Sequence, residues 1–309
     1  MPLLDETAAG VFVIAVTPFT DTGELDLESA DRMVDFYIEK GATGLTVLGM
    51  MGEAPKLTAS ESEKVVRRVL ARAGGHVPVV VGVSAPGFAA MKELADQVMD
   101  AGAAGVMVAP PSHLRTDDQI FSYFETAAEM LGRTPFVLQD FPLATGVQIS
   151  AGVISRIIKA CPSCVMLKHE DWPGLNKITA LRAASGRGDT RRISILCGNG
   201  GLFLTEELGR GADGAMTGFA YPEMMVDVCR AHRRGDIARA QDLFDAYLPL
   251  VRYELQPNLG LMIRKYVLAR RGVIASAALR KPAGKLSPQD IAETERLIAR
   301  QEARLQALG

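Results

Sequence analysis

The chain has no excess of either charge sign. Its 34 lysines and arginines against 36 aspartates and glutamates leave a formal net charge of −2. No overall basic field therefore exists to hold a polyanion, and nucleic-acid binding is not expected as the main activity. Long apolar runs are missing too. Nothing approaches the roughly 18 residues of a membrane span, and the densest short patch is His76 to Val83. Met1 to Gly10 carries Asp5 and Glu6 and no cationic leader, so it does not read as a signal peptide. Cysteine is scarce: four in 309 residues make no disulfide framework, and the expected compartment is the cytoplasm. Only one Cys-x-x-Cys occurs, Cys161 to Cys164, with no second pair to complete a zinc site. It reads as a helix-to-strand joint with Cys164 buried, and no metal is expected.

What is there is ordinary globular composition, with 48% hydrophobic and 23% charged residues, arranged with a period. Short apolar runs begin near Val11, Gly44, Pro78, Gly105, Pro135, Cys164, Ile193 and Asp213, about 29 residues apart on average. Each is rich in Val, Ile and Leu and does not alternate with polar residues, which is how strands buried on both faces read. Between them lie amphipathic stretches. Two of these open on capping boxes, Thr58 with Glu61 and Thr116 with Gln119, and several stop at glycines such as Gly41, Gly74, Gly132 and Gly211. The joints Gly41-Ala-Thr-Gly44, Gly102-Ala-Ala-Gly105 and Gly211-Ala-Asp-Gly214 repeat one helix-to-strand turn. Eight such units predict a (β/α)8 TIM barrel over residues 1–233. Only helix-period segments follow, roughly Pro222–Arg234, Asp236–Tyr253, Pro257–Arg271 and Ser287–Leu308. No linker separates them, so residues 234–309 are expected as a helical extension packed on the barrel. The basic cluster Arg264, Lys265, Arg270 and Arg271 is expected to be a solvated helix face.

Barrel chemistry sits at the C-terminal ends of the strands. Lys168 closes the run Val165-Met-Leu-Lys168, and on the two-residue period of a strand it shares a face with Met166. Desolvation there favours the neutral amine, which forms a Schiff base with a carbonyl substrate. The same position also suits a lysine that reaches solvent or pairs with Asp140 or Glu170, and pattern alone leaves both open. His113, at the mouth of the fourth strand, is a candidate substrate contact. His76 and His232 read as surface or structural. The glycines Gly198, Gly200 and Gly201 suit either a phosphate or close packing around a small ligand.

Several segments together resemble the dihydrodipicolinate synthase / N-acetylneuraminate lyase family, over nearly the whole chain. They are Val16-Thr-Pro-Phe19 with Gly23 and Asp26; Gly49-x-x-Gly52-Glu53 with Leu57, Thr58 and Glu61; Val79 to Gly82; Lys168; and Arg280 followed by Pro282. The resemblance implies a Schiff-base barrel lyase acting on 2-oxo acids, with Lys168 as the covalent residue, no cofactor, and a homotetramer or homodimer. It also exposes departures. Met50 and Met51 stand where the family offers two threonines, leaving backbone amides to hold the substrate carboxylate. Gln139 replaces the family's catalytic tyrosine, and Pro110-Pro-Ser-His113 lacks a second tyrosine. Ala144 stands where dihydrodipicolinate synthases place an arginine. Gln139-Asp140-x-Pro142, Lys168-x-Glu170 and Gly272-Val-Ile-Ala-Ser276 look like the 2-keto-3-deoxyarabonate dehydratases. That branch implies loss of water from a 2-keto-3-deoxy sugar acid. Glu170 is then the expected acid or base, Gln139 an orienting group and His113 a second acid. Gly49, Met50, Met51, Gly198, Asn199 and Met216 are expected to contact substrate. The other readings are an aldolase of the same family and a non-catalytic relative that binds a 2-oxo acid.

Overall fold

A computed structural model describes residues 2–172 and 174–309; Met1 and Pro173 lie outside the described residues. The eight apolar runs form eight strands: β1 (Gly10–Ile14), β2 (Gly44–Val47), β3 (Val79–Gly82), β4 (Gly105–Val108), β5 (Phe136–Asp140), β6 (Cys164–His169), β7 (Ser194–Cys197) and β8 (Gly214–Thr217). Each begins within one residue of its expected start. Each pairs in parallel with the next, and β8 returns to β1 through Gly10↔Gly214 to Val13↔Thr217, which closes the barrel. Helices follow the strands: α1 (Leu27–Glu39), α2 (Ala59–Ala73), α3 (Phe88–Asp100), α4 (Asp117–Leu131), a short α5 (Pro142–Thr145), α6 (Ala151–Ala160), α7 (Leu175–Gly186), a short α8 (Leu204–Gly209) and α9 (Pro222–Arg233). The extension adds α10 (Ile237–Glu254), α11 (Gly260–Arg270) and α12 (Pro288–Leu308). Among the described residues no helix is long and apolar enough to cross a membrane.

The strands are apolar throughout because both faces are covered. In β1, Val11 and Val13 join the large cluster between barrel and helices, while Phe12 and Ile14 join a smaller cluster inside the barrel. The capping boxes form at Thr58 with Glu61 and at Thr116 with Gln119, and a third forms at Ser287 with Asp290. The repeated glycine joint has a steric cause. Gly211 turns out of α8 at φ +93°, and a Cβ on Gly214 would lie 1.8 Å from the Gly10 carbonyl oxygen, where β8 meets β1.

The basic cluster of the C-terminal region corrects the expectation from sequence. Arg264 and Lys265 are buried, not solvated. Lys265 Nζ lies 2.7 Å from Glu53 Oε1 and 4.5 Å from the Phe19 ring centre, and Arg264 Nε donates to Glu254 Oε1 at 2.6 Å. Arg271 pairs with Glu223, and Arg270 with Glu295 at the surface. Charges here tie the extension to the barrel mouth. Glu53 also accepts from Lys56 Nζ and the Arg280 amide, while Arg280 forks onto Glu61 at 2.6 and 2.7 Å. Hydrogen bonding from that guanidinium holds the Glu61 carboxyl down at about 2.

Candidate active site

The inner cluster sets the floor. Phe12, Val80, Met107, Val137, Met166 and Met216 fill the barrel interior. Met216, expected to touch substrate, is fully buried in that floor and lies outside the cavity lining; Thr217 and Gly218 supply the lining there. Above the floor a cavity of about 490 Å³ opens at the C-terminal end of the strands.

Lys168 and Gln139 face each other across β5 and β6, since Gln139 is paired in register with Lys168. Two residues on, the Glu170 amide donates to the Asp140 carbonyl at 2.9 Å, and the Gly198 amide donates to the His169 carbonyl at 2.8 Å. The extended ladder carries past the last strand residue, so alternation puts Glu170 on the face of Lys168. All three side chains are nearly solvent-free. Glu170 Oε2 accepts from Gln139 Nε2 at 2.8 Å and lies 2.9 Å from Lys168 Nζ. One carboxylate oxygen thus bridges the amine and the amide.

The surrounding loops fix the backbone at Glu170 and beside it. Asn199 Nδ2 donates to the Glu170 carbonyl at 3.1 Å, and the Gly200 amide donates to Thr217 Oγ1 at 2.9 Å. Gly198 does not line the cavity as expected; it makes room. A Cβ there would sit 2.1 Å from Glu170 Cγ and 2.6 Å from its Oε1. Met50 and Met51 do line the cavity, opening a single helical turn that ends at Gly52. Their amides precede the first donor of the turn, the Gly52 amide bonded to the Gly49 carbonyl, and so are not used within it. Gly49 is not in the lining; it starts this turn packed near Ile14. Among the described residues, four non-glycine residues have positive φ: Leu48, Glu53, Asn199 and Asn258. The first two flank the Met50–Met51 turn and the last two line the cavity. Backbone strain is therefore concentrated around this mouth.

His113 lies apart from this cavity. It is exposed and lines an outer groove beside Phe88, Leu114 and Asp118, not the barrel cavity. The loop after β4 carries it outward over α4. Among the described residues no tyrosine lines the cavity, whose aromatic residues are Phe141 and Trp172. Asp140 points to the other side of β5, where Lys177 Nζ lies 2.6 Å away. Burial pushes its carboxyl up to about 6 against the pull of that lysine.

Much of the wall was invisible in the sequence. Glu254, Leu255, Asn258, Gly260 and Arg264 reach the cavity from the end of α10 and the start of α11, far along the chain from Lys168. No local pattern announced them. Among the described residues, one cluster has metal-capable side chains: His169, Cys197 and Glu207, with donor atoms within 4.8 Å of one another. It lies on the outer face of β6 and β7, against α8, behind Lys168. The His169 ring nitrogen Nε2 is meanwhile bonded to the Gly174 carbonyl at 3.1 Å.

Known proteins resemble this chain over most of its length. Residues 7–301 match the sequence model of the Dihydrodipicolinate synthetase family. The chain is 32% identical to L-2-keto-3-deoxyarabonate dehydratase of Azospirillum brasilense, over 92% of this chain and 91% of the relative. It is 34% identical to 4-hydroxy-tetrahydrodipicolinate synthase of Sorangium cellulosum, over 96% and 98%. The structure of dihydrodipicolinate synthase from Rhodopseudomonas palustris superposes with a TM-score of 0.95 at 54% identity, over 97% of this chain and all of that one. Both activities thus occur among these relatives, at 32% identity for the dehydratase and at 34% and 54% for the synthases.

Proposed function

The chain belongs to the dihydrodipicolinate synthetase family, and we propose that it is a Schiff-base lyase of the dehydratase type, acting on a 2-keto-3-deoxy sugar acid such as 2-keto-3-deoxyarabonate. The observation that carries this reading is the single Glu170 oxygen shared by Lys168 and Gln139. A proton passed from Lys168 to Glu170 along the 2.9 Å contact frees the amine. The amine attacks C2, and water leaves the carbinolamine to give an iminium. Glu170, again a carboxylate, removes a proton from C3 and returns it to the departing C4 hydroxyl, which leaves as water. Hydrolysis then frees Lys168. A five-carbon substrate is released as 5-hydroxy-2-oxopent-3-enoate; transfer of a proton from C5 to C3 gives the enol of 2,5-dioxopentanoate, which ketonises at C5. Gln139 cannot ionise and fixes the carboxylate instead. The amides of Met50 and Met51 take the substrate carboxylate. These steps use no cofactor beyond the lysine.

The second reading is condensation of pyruvate with aspartate semialdehyde, favoured by the synthases among the relatives. Against it, Ala144 on α5 brings no cation to the mouth, and losing a charge-assisted contact of that kind costs about 1.5–3 kcal/mol.

Two measurements test the proposal together. Borohydride with pyruvate or the sugar acid should add mass to the peptide containing Lys168, and Lys168→Ala should abolish the adduct. Product analysis should find a dioxo acid. A Glu170→Gln variant should still be trapped, more slowly because Lys168 must then lose its proton to water, and should turn over about 10²-fold more slowly. An adduct on another lysine, or condensation with aspartate semialdehyde at rates normal for an enzyme, would overturn the assignment.

A further inference from the structure

Arg264 sits in the cavity wall with one half of its guanidinium unused. Its Nε is fixed on Glu254 Oε1 at 2.6 Å, and Glu254 Oε2 is held in turn by the Ala220 amide at 3.2 Å. Nη1 is buried and has no hydrogen-bond partner among the described residues. It lies over Gly218, where a Cβ would come within 2.1 Å of it. Arg264, Glu254 and Gly218 all line the cavity that holds Lys168 and Glu170. A buried, unpaired donor is costly, and a structural ion pair with Glu254 does not require one. A ligand oxygen would complete the fork.

Charge decides which oxygen. The charged side chains lining the cavity are Lys168, Glu170, Glu254 and Arg264, and they cancel in two pairs. The amides of Met50 and Met51 can take one substrate carboxylate. A second carboxylate beside Arg264 would meet a guanidinium already neutralised at 2.6 Å and would be left uncompensated. A hydroxyl brings no charge and accepts the bond.

We propose that Arg264 reads the terminal hydroxyl of the substrate's sugar chain, and that Glu254, by cancelling its charge, makes the site reject a second carboxylate. This rests on the dehydratase reading for its substrate class, but it is tested by binding alone. Trp172, the single tryptophan of the chain, lines the same cavity, so its fluorescence reports occupancy before turnover. The ligands are 2-keto-3-deoxyarabonate, its 5-deoxy analogue, 4-hydroxy-2-oxoglutarate as the diacid of equal length, and pyruvate. The natural chain should bind the sugar acid about tenfold or more tighter than the 5-deoxy analogue or the diacid, the scale of one hydrogen bond to a charged donor. The double variant Arg264→Met, Glu254→Gln leaves no buried charge unpaired, so folding is preserved. It should lose the preference while binding pyruvate about as before. Glu254→Gln alone should raise affinity for the diacid about tenfold. A double variant that keeps the preference, or that weakens pyruvate and the sugar acid alike, overturns the proposal. Dehydration is scored separately by product analysis: Arg264-dependent binding without water loss would refute the dehydratase reading and leave Arg264's role standing.

Discussion

Gly198→Ala should remove most of the activity without touching a group that reacts. The backbone does not demand glycine here, since its φ is −106°. What demands it is Glu170. The new methyl would lie 2.1 Å from Glu170 Cγ, and ordinary contact begins at 3.4 Å. The neighbour that must yield is the side chain whose Oε2 holds Gln139 Nε2 at 2.8 Å and lies 2.9 Å from Lys168 Nζ. Moving Cγ by the difference swings the carboxylate by more than 1 Å, and both contacts are lost. A misplacement of that size typically costs about 10²-fold in rate, or about 2.7 kcal/mol in barrel-mouth transition-state stabilisation. The assay compares turnover of 2-keto-3-deoxyarabonate with borohydride trapping of pyruvate. Turnover should fall about 10²-fold, the scale expected of a displaced general acid–base group, while the Lys168 adduct still forms. In a Glu170→Gln background the same substitution should cost little more, because both changes disable one group. Turnover of Gly198→Ala within about threefold of the natural chain, well inside the 10²-fold scale, would refute the reasoning, since Glu170 would then be free to move without consequence.

Two further outcomes concern stability. Lys265→Met leaves Glu53 buried with Lys56 as its remaining cation at 3.0 Å, so urea unfolding should show a loss of about 3 kcal/mol, the low end for breaking a buried pair; adding Glu53→Gln should recover part of it, and an unchanged midpoint would show that the pair contributes nothing. Asp140 has its folded carboxyl raised to about 6 from an ordinary 3.8. Its contribution to stability is therefore present below the unfolded value and is lost as pH rises through about 6. The stability difference between the natural chain and Asp140→Asn should fall from pH 4 towards pH 6 and then level, and a difference that rises over that window would reverse the sign assigned here.

The sequence by itself determined the barrel, because strand and helix periodicity, capping boxes and glycine joints are local signals that survive in one dimension. It also determined that Lys168 and Glu170 share a face, since a two-residue period holds as long as the ladder continues, and the Glu170 amide bonded to Asp140 shows that it does. Only the tertiary structure decided which residues complete the mouth. A run of basic residues reads as a solvated face until the fold brings Glu53 to Lys265 from 212 positions away and Glu254 to Arg264. His113 lies at the end of the right strand, yet its loop turns outward, and Met216 faces inward but one layer too deep. Gly198 reads as a ligand-cradling glycine, and only the position of Glu170 shows that it provides clearance. Spacing along a chain fixes which way a side chain points from its own element. What it meets there depends on which distant element packs opposite, and that is a property of the closed barrel with its C-terminal helices folded over the rim.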